Sequence, residues 1–214
     1  VAVGYKAGTA VTTGTNNTLI GGQAGDALTT GSWNVAVGKD ALTATDVGAY
    51  NVAVGGQSML TNVDGSRNVA LGYGTLQNME PASAVDMYNI AIGFNAGLSV
   101  STGVENVLIG GLAGDALTTG IQNVAIGKDA LSTKTTGSAD IAIGHQALQD
   151  ADGGDAFNVA VGYRAGRNIT TGIRNILIGA SAGDSLSSGI DNIAIGYQAL
   201  VSEDTHSYNT AVGH

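Results

Sequence analysis

An all-β solenoid of about twelve parallel coils is the fold class this sequence predicts, and three observations carry it. A five-residue phrase, Asn-Val-Ala-Val-Gly or a close variant, returns every 17 residues, its glycine at Gly4, Gly21, Gly38, Gly55, Gly72, Gly93, Gly110, Gly127, Gly144, Gly162, Gly179, Gly196 and Gly213. The phrase is built of β-branched residues, which are stiff at χ1 and suit a pleated strand. Outside the phrase, large side chains trade places between two positions, as a packed core requires. A short fixed period means stacked units, each burying a face on the next. Only two intervals depart from it, 21 residues between Gly72 and Gly93 and 18 between Gly144 and Gly162. The chain therefore reads as a single array over 1–214, a segment of a longer fibre, with one irregular coil carrying a loop at 77–88.

Each repeat is numbered here from the residue after its asparagine. Position 1 is always β-branched, from Val1 and Thr18 to Thr210, and position 3 is Val or Ile except at Leu71. Alternation puts positions 1 and 3 on one face and the asparagine, position 2 and position 4 on the other. The bulky face is expected to turn to the core, and the flat Asn/Ala/Gly face outward. Position 2 is mostly Ala, but Leu at Leu19, Leu108 and Leu177. On an outward face these three would be plugs in an interface between identical chains.

The second half of the repeat should close the coil. Where position 8 is Gly, position 11 is large and apolar, as in Gly25 with Leu28, Gly114 with Leu117 and Gly183 with Leu186. Where position 8 is Leu42, Leu131 or Leu200, position 11 becomes Thr45, Lys134 or Glu203. The leucines are expected to share one core slot, with Thr45, Lys134 and Glu203 facing solvent. A recurring glycine at position 14, as in Gly31 and Gly120, reads as a turn residue at positive φ. Above this rhythm lies a longer one: runs from Val1, Ile90 and Val159 begin similar blocks of four or five coils.

Composition narrows the function. The chain has 34 Gly but one Pro, which is neither a collagen pattern nor a Pro/Gly linker. It is 43% hydrophobic and 12% charged, too apolar for disorder, and no apolar run approaches the roughly 20 residues of a membrane span. Without cysteine it has no disulfide scaffold or thiolate metal site. A net charge of −9 with scattered Lys and Arg argues against nucleic acid. The core of each coil is thin, so association with identical chains is expected.

The phrases Asn51-Val-Ala-Val-Gly55, Asn123-Val-Ala-Ile-Gly127 and Asn192-Ile-Ala-Ile-Gly196, spaced by Thr-Thr-Gly turns, resemble the repeats of phage tail-fibre shafts and their adhesin relatives. The shorter core phrase is similar to that of the left-handed β-roll heads of trimeric autotransporter adhesins. The resemblance covers essentially the whole chain, at a longer period. It implies a parallel homotrimer of left-handed β-rolls, extracellular on a virion tail or cell-surface appendage, and a non-enzymatic role in attachment to a cell surface. Two other readings stand beside it: a self-assembling extracellular filament of solenoids stacked end to end, and an ice-binding solenoid, against which the Thr pairs fail to recur in every coil.

Candidate sites are few. The aromatics all lie at position 5 or directly before the asparagine, where alternation makes them covers for the core's corners; the alternative is an exposed strip that stacks on a host-surface glycan or protein, with Trp33, Tyr50, Tyr88, Phe94, Phe157 and Tyr163 its members. Asp150, Asp152 and Asp155 have the outline of a calcium loop but lack the glutamate that closes one. His145, His206 and His214 lack a nucleophile partner and read as exposed corners; no cofactor or catalytic residue is expected.

Overall fold

The computed structural model describes residues 1–152, 154–202 and 204–214. Thirteen short strands form one parallel sheet in sequence order, one strand to a coil, from Ala2–Val3 and Thr18–Ile20 to Thr210–Val212. Every pairing is in register, so that Val35, Ala36 and Val37 lie beside Val52, Ala53 and Val54. There is no helix among the described residues. The long intervals are absorbed outside this sheet. Val69–Leu71 still pairs directly with Ile90–Ile92, while Gly65–Ser66 and Val85–Asp86 form a second small sheet where the irregular coil bulges. Met79 and Met87 bring that coil back to the core, where both are fully buried.

Hydrogen bonding between coils continues past the strands. Gln23 N–H donates to the Tyr5 carbonyl at 2.7 Å, Gly25 N–H to Ala41 at 2.9 Å and Thr29 N–H to Asp46 at 3.0 Å. Most of each coil's backbone is thus satisfied by its neighbours, as buried backbone must be. Corners fall at positions 6, 8 and 16, which are left-handed, as in Gln23 (φ 59°), Leu42 (φ 51°) and Trp33 (φ 62°).

The two faces of the strand are the reverse of the expectation. Ala36, Ala53, Ala125 and their equivalents at position 2 are fully buried inside the coil, whereas Val54, Ile90 and Ile178 at positions 1 and 3 point outward. The asparagine explains the choice. The amide side chain of Asn34 accepts from Asn51 N–H at 2.9 Å and donates to the Gly48 carbonyl at 2.9 Å, and most of the other asparagines repeat this inside the coil. An inward amide ties each coil to the next at two points, and removing it would strand buried groups at about 1–3 kcal/mol each.

Leu19, Leu108 and Leu177 accordingly fill the chain's own core and are no plugs between chains. Leu108 Cδ1 lies 2.7 Å from where a Cβ on Gly97 would sit, and Cδ2 2.8 Å from that of Gly114. Leu19 stands likewise over Gly8 and Gly25, and Leu177 over Gly166 and Gly183. The position-8 glycines leave a hole that a leucine at position 2 occupies. The slot shared by positions 8 and 11 is as expected on its leucine side: Leu28, Leu42, Leu117, Leu131 and Leu186 are buried and Leu200 packs against them.

Its polar side is not as expected, because Thr45 and Lys134 are fully buried; Glu203 lies outside the described residues. Thr45 Oγ1 donates to the Asn62 carbonyl at 2.6 Å. Lys134 repairs a break in the asparagine ladder. Asp140 stands where other coils have asparagine; its Oδ1 accepts from Asn158 N–H at 2.8 Å as an asparagine would, but it has no amide hydrogen to give the next coil. Lys134 Nζ supplies that donor, 3.1 Å from the Gly154 carbonyl, and sits 2.8 Å from Asp140 Oδ2. Burial holds the Asp140 carboxyl above the ordinary carboxylate range despite the ammonium beside it.

The glycine at position 14 is at positive φ only at Gly137 among those described, and elsewhere has a different cause. Gly31 and Gly120 are not at positive φ; a Cβ on Gly31 would lie 2.3 Å from the Gly48 carbonyl oxygen, so it is the approach of the next coil that excludes a side chain.

Candidate interaction surface

With the asparagine and position 2 turned inward, positions 1 and 3 make an outward strip thirteen rungs long, Val or Ile throughout except at Thr18, Leu71 and Thr210. Twelve steps of about 4.8 Å give a length of about 58 Å. The two steps between positions 1 and 3, at about 3.3 Å each, make the apolar band about 7 Å across, or about 400 Å²; out to positions 16 and 5 the whole face is up to about 20 Å across, on the order of 1,000 Å². The band is in the size range of the largest apolar patches on soluble monomers, which are often functional, and the face with its edges matches the about 800 Å² that a standard interface buries on each partner.

Its borders are two columns of larger side chains. Trp33 (55% exposed), Tyr50, Tyr88 and Phe157 at position 16 stand on one edge, and Phe94 and Tyr163 (48%) at position 5 on the other. They are exposed, so they cover no corner of the core. Rings on successive coils stack along the axis, Tyr73 on Phe94 with centroids 5.9 Å apart and His145 on Tyr163 at 5.5 Å. The Arg67 guanidinium lies over Tyr50 at 4.9 Å and Tyr88 at 5.9 Å, while its Nε pairs with Asp86 at 2.8 Å. Further down the column Arg174 and Asp191 form a two-pronged pair at 2.7 Å. Asp86 holds the Arg67 guanidinium above its ordinary value and Asp191 does the same for Arg174, in exposed positions where such pairs add little stability.

The carboxylates Asp150, Asp152 and Asp155 are not brought together; among the described residues no three His, Asp or Glu side chains form a group that could hold a metal. Asp152 is occupied instead with Thr135, whose Oγ1 donates to it at 3.0 Å. A cavity of about 530 Å³ lined by Val1, Gly8, Val11, Asn17 and Leu19 is the end of the coil stack itself. No helix is long and apolar enough to cross a membrane among the described residues.

Sequence reasoning found the bordering aromatics and missed the strip between them. The signal was present in the pairing of Leu19, Leu108 and Leu177 with glycines at position 8, which only an inward position 2 explains. No protein-family model, curated protein or solved structure matches the chain.

Proposed function

We propose that this chain is a structural and adhesive fibre segment, of a phage tail or a secreted surface appendage, in which the Val/Ile strips of identical parallel chains are buried against one another. One observation carries the reading: an outward face of interface size whose centre is apolar on every rung apart from the threonines at Thr18 and Thr210, on a rod whose own core is already complete without it. The sequence resemblance adds three-fold symmetry, left-handed winding and attachment to a host-surface glycan or protein as the role the rod serves.

The test is the mass of the protein in solution before and after charge is placed on the strip. Ile126 and Ile143 are outward on adjacent rungs. The native chain is expected to sediment as a multiple of 21.2 kDa, and I126K/I143K as a smaller species with unchanged far-UV circular dichroism. A native monomer at micromolar concentration, or a doubly substituted chain of unchanged mass, would overturn the reading.

A further inference from the structure

We propose that copies of this chain also meet edge to edge: the position-16 edge of one packs against the position-5 edge of the next, rung for rung, in a closed parallel ring. The proposal rests on the fibre reading above and names how the chains adjoin. Parallel copies rotated about an axis along the stack, each turning its Val/Ile strip inward, set unlike edges together. A closed ring allows no net displacement along that axis. A strand that crosses the axis holds both its edges at one height, so the residue before its asparagine meets the position-5 residue of the same rung on the neighbour.

The side chains at those places suit each other. Trp33 and Lys39 border one strand, and Arg67 and Tyr73 another, each bringing a cation to an aromatic ring. Tyr88 meets Phe94 and Phe157 meets Tyr163, ring to ring. Tyr50 meets Gly56, and no rung sets like charges together.

Two features of the single chain support a neighbour there. Gly56 has no positive φ, and a Cβ on it would come no closer than 3.4 Å to the Tyr73 ring; at Gly22 and Gly111, also at position 5, a Cβ would meet nothing within 4 Å. These glycines are required by neither the backbone nor the packing of their own chain, unlike those at position 4, and they leave openings at the edge. Facing the opening at Gly56 stands Tyr50, whose ring is exposed on its own chain.

The chain has no cysteine, which makes disulfide trapping clean. Gln122 and Lys128 are exposed on the two edges of the strand Val124–Ile126. Within one chain they are up to about 20 Å apart, well beyond the roughly 7 Å that a disulfide spans between Cα atoms. Mild oxidation of Q122C/K128C is expected to give, on a denaturing gel, a covalently closed oligomer of the size found by sedimentation. Q122C or K128C alone should give no dimer, and Q122C/H145C, one rung out of step, should couple several-fold more slowly. A native oligomer that yields no cross-link, a dimer from either single variant, or faster coupling of the shifted pair would overturn the edge pairing while leaving the fibre reading standing. A monomeric native chain would overturn both.

Discussion

Replacing Leu108 by alanine should be among the most damaging conservative changes in the chain, and the structure says how damaging. The side chain is fully buried, and its two methyl groups lie over Gly97 and Gly114. Losing three carbons removes about 2.4 kcal/mol of transfer free energy at about 0.8 kcal/mol for each. The cavity adds to this because nothing can fall into it. Both neighbours are glycines, and their backbone is held by the bonds from Gly97 N–H to the Ala113 carbonyl at 3.0 Å and Gly114 N–H to Ala130 at 2.9 Å. A total of about 3–5 kcal/mol follows. Gly114→Leu alone should also destabilise, by about 1–3 kcal/mol, since its Cβ would lie 2.8 Å from Leu108 Cδ2. On an L117T background, which copies Thr45 and keeps the slot shared by positions 8 and 11 filled once, the two changes together recreate the set Ala36, Leu42 and Thr45, at a φ close to that already used by Leu42 (51° against 56° at Gly114). The double variant should therefore recover about 2 kcal/mol or more relative to additive losses. Urea unfolding followed by far-UV circular dichroism, at one fixed protein concentration, reads all four corners of the cycle. An L108A loss under about 1 kcal/mol, or strictly additive losses, would refute the account of this core.

Further outcomes follow from the same coil structure. K134T/D140N, which copies Thr45 and Asn51 and replaces a buried ion pair by the neutral ladder of the other coils, should be at least as stable as the native chain. Because burial raises the Asp140 carboxyl, the folded state holds that proton more tightly than the unfolded one. The native chain should thus compare best with the double variant below about pH 4 and lose ground as pH rises through the raised value, which calorimetry from about pH 3 to 7 would read. Gly127→Ala should abolish folding, since φ is +134° and its Cβ would lie 2.5 Å from the Gly144 oxygen, while Gly22→Ala, which meets nothing, should leave the melting temperature of the isolated coil within a degree or two.

The period, the strand in each repeat and the in-register parallel stacking were all legible in the sequence, because a 17-residue recurrence of β-branched phrases admits few other packings. The direction of the faces was not. Alternation separates Val52 and Val54 from Asn51 and Ala53, but it does not say which pair is inside, and bulk was a poor guide. The interior of so narrow a coil has room for alanine beside an asparagine amide, and the larger side chains come from positions 8 and 11. The asparagine carried the missing information. An amide that recurs at one place in successive coils bonds the backbone of the next coil when it points inward, and has no such partner when it points out. Asp140 with Lys134 shows the same rule from its exception: the one coil whose ladder residue lacks an amide hydrogen is the one whose position 11 is lysine. The aromatics were expected to cover the core's corners and stand exposed instead, and what they border could be seen only once the faces were assigned.

The sidedness of the strand underlies every functional statement made here, and two adjacent residues test it with identical chemistry. Ala125 is fully buried, while Ile126, its neighbour in the strand Val124–Ile126, points outward. Thermal unfolding of A125D should show no folded baseline, because a carboxylate would be buried with no partner. I126D should keep a cooperative transition and the far-UV spectrum of the native chain, at a lower midpoint if assembly is weakened. A folded A125D beside an unfolded I126D would put the Val/Ile strip inside the coil and contradict the account.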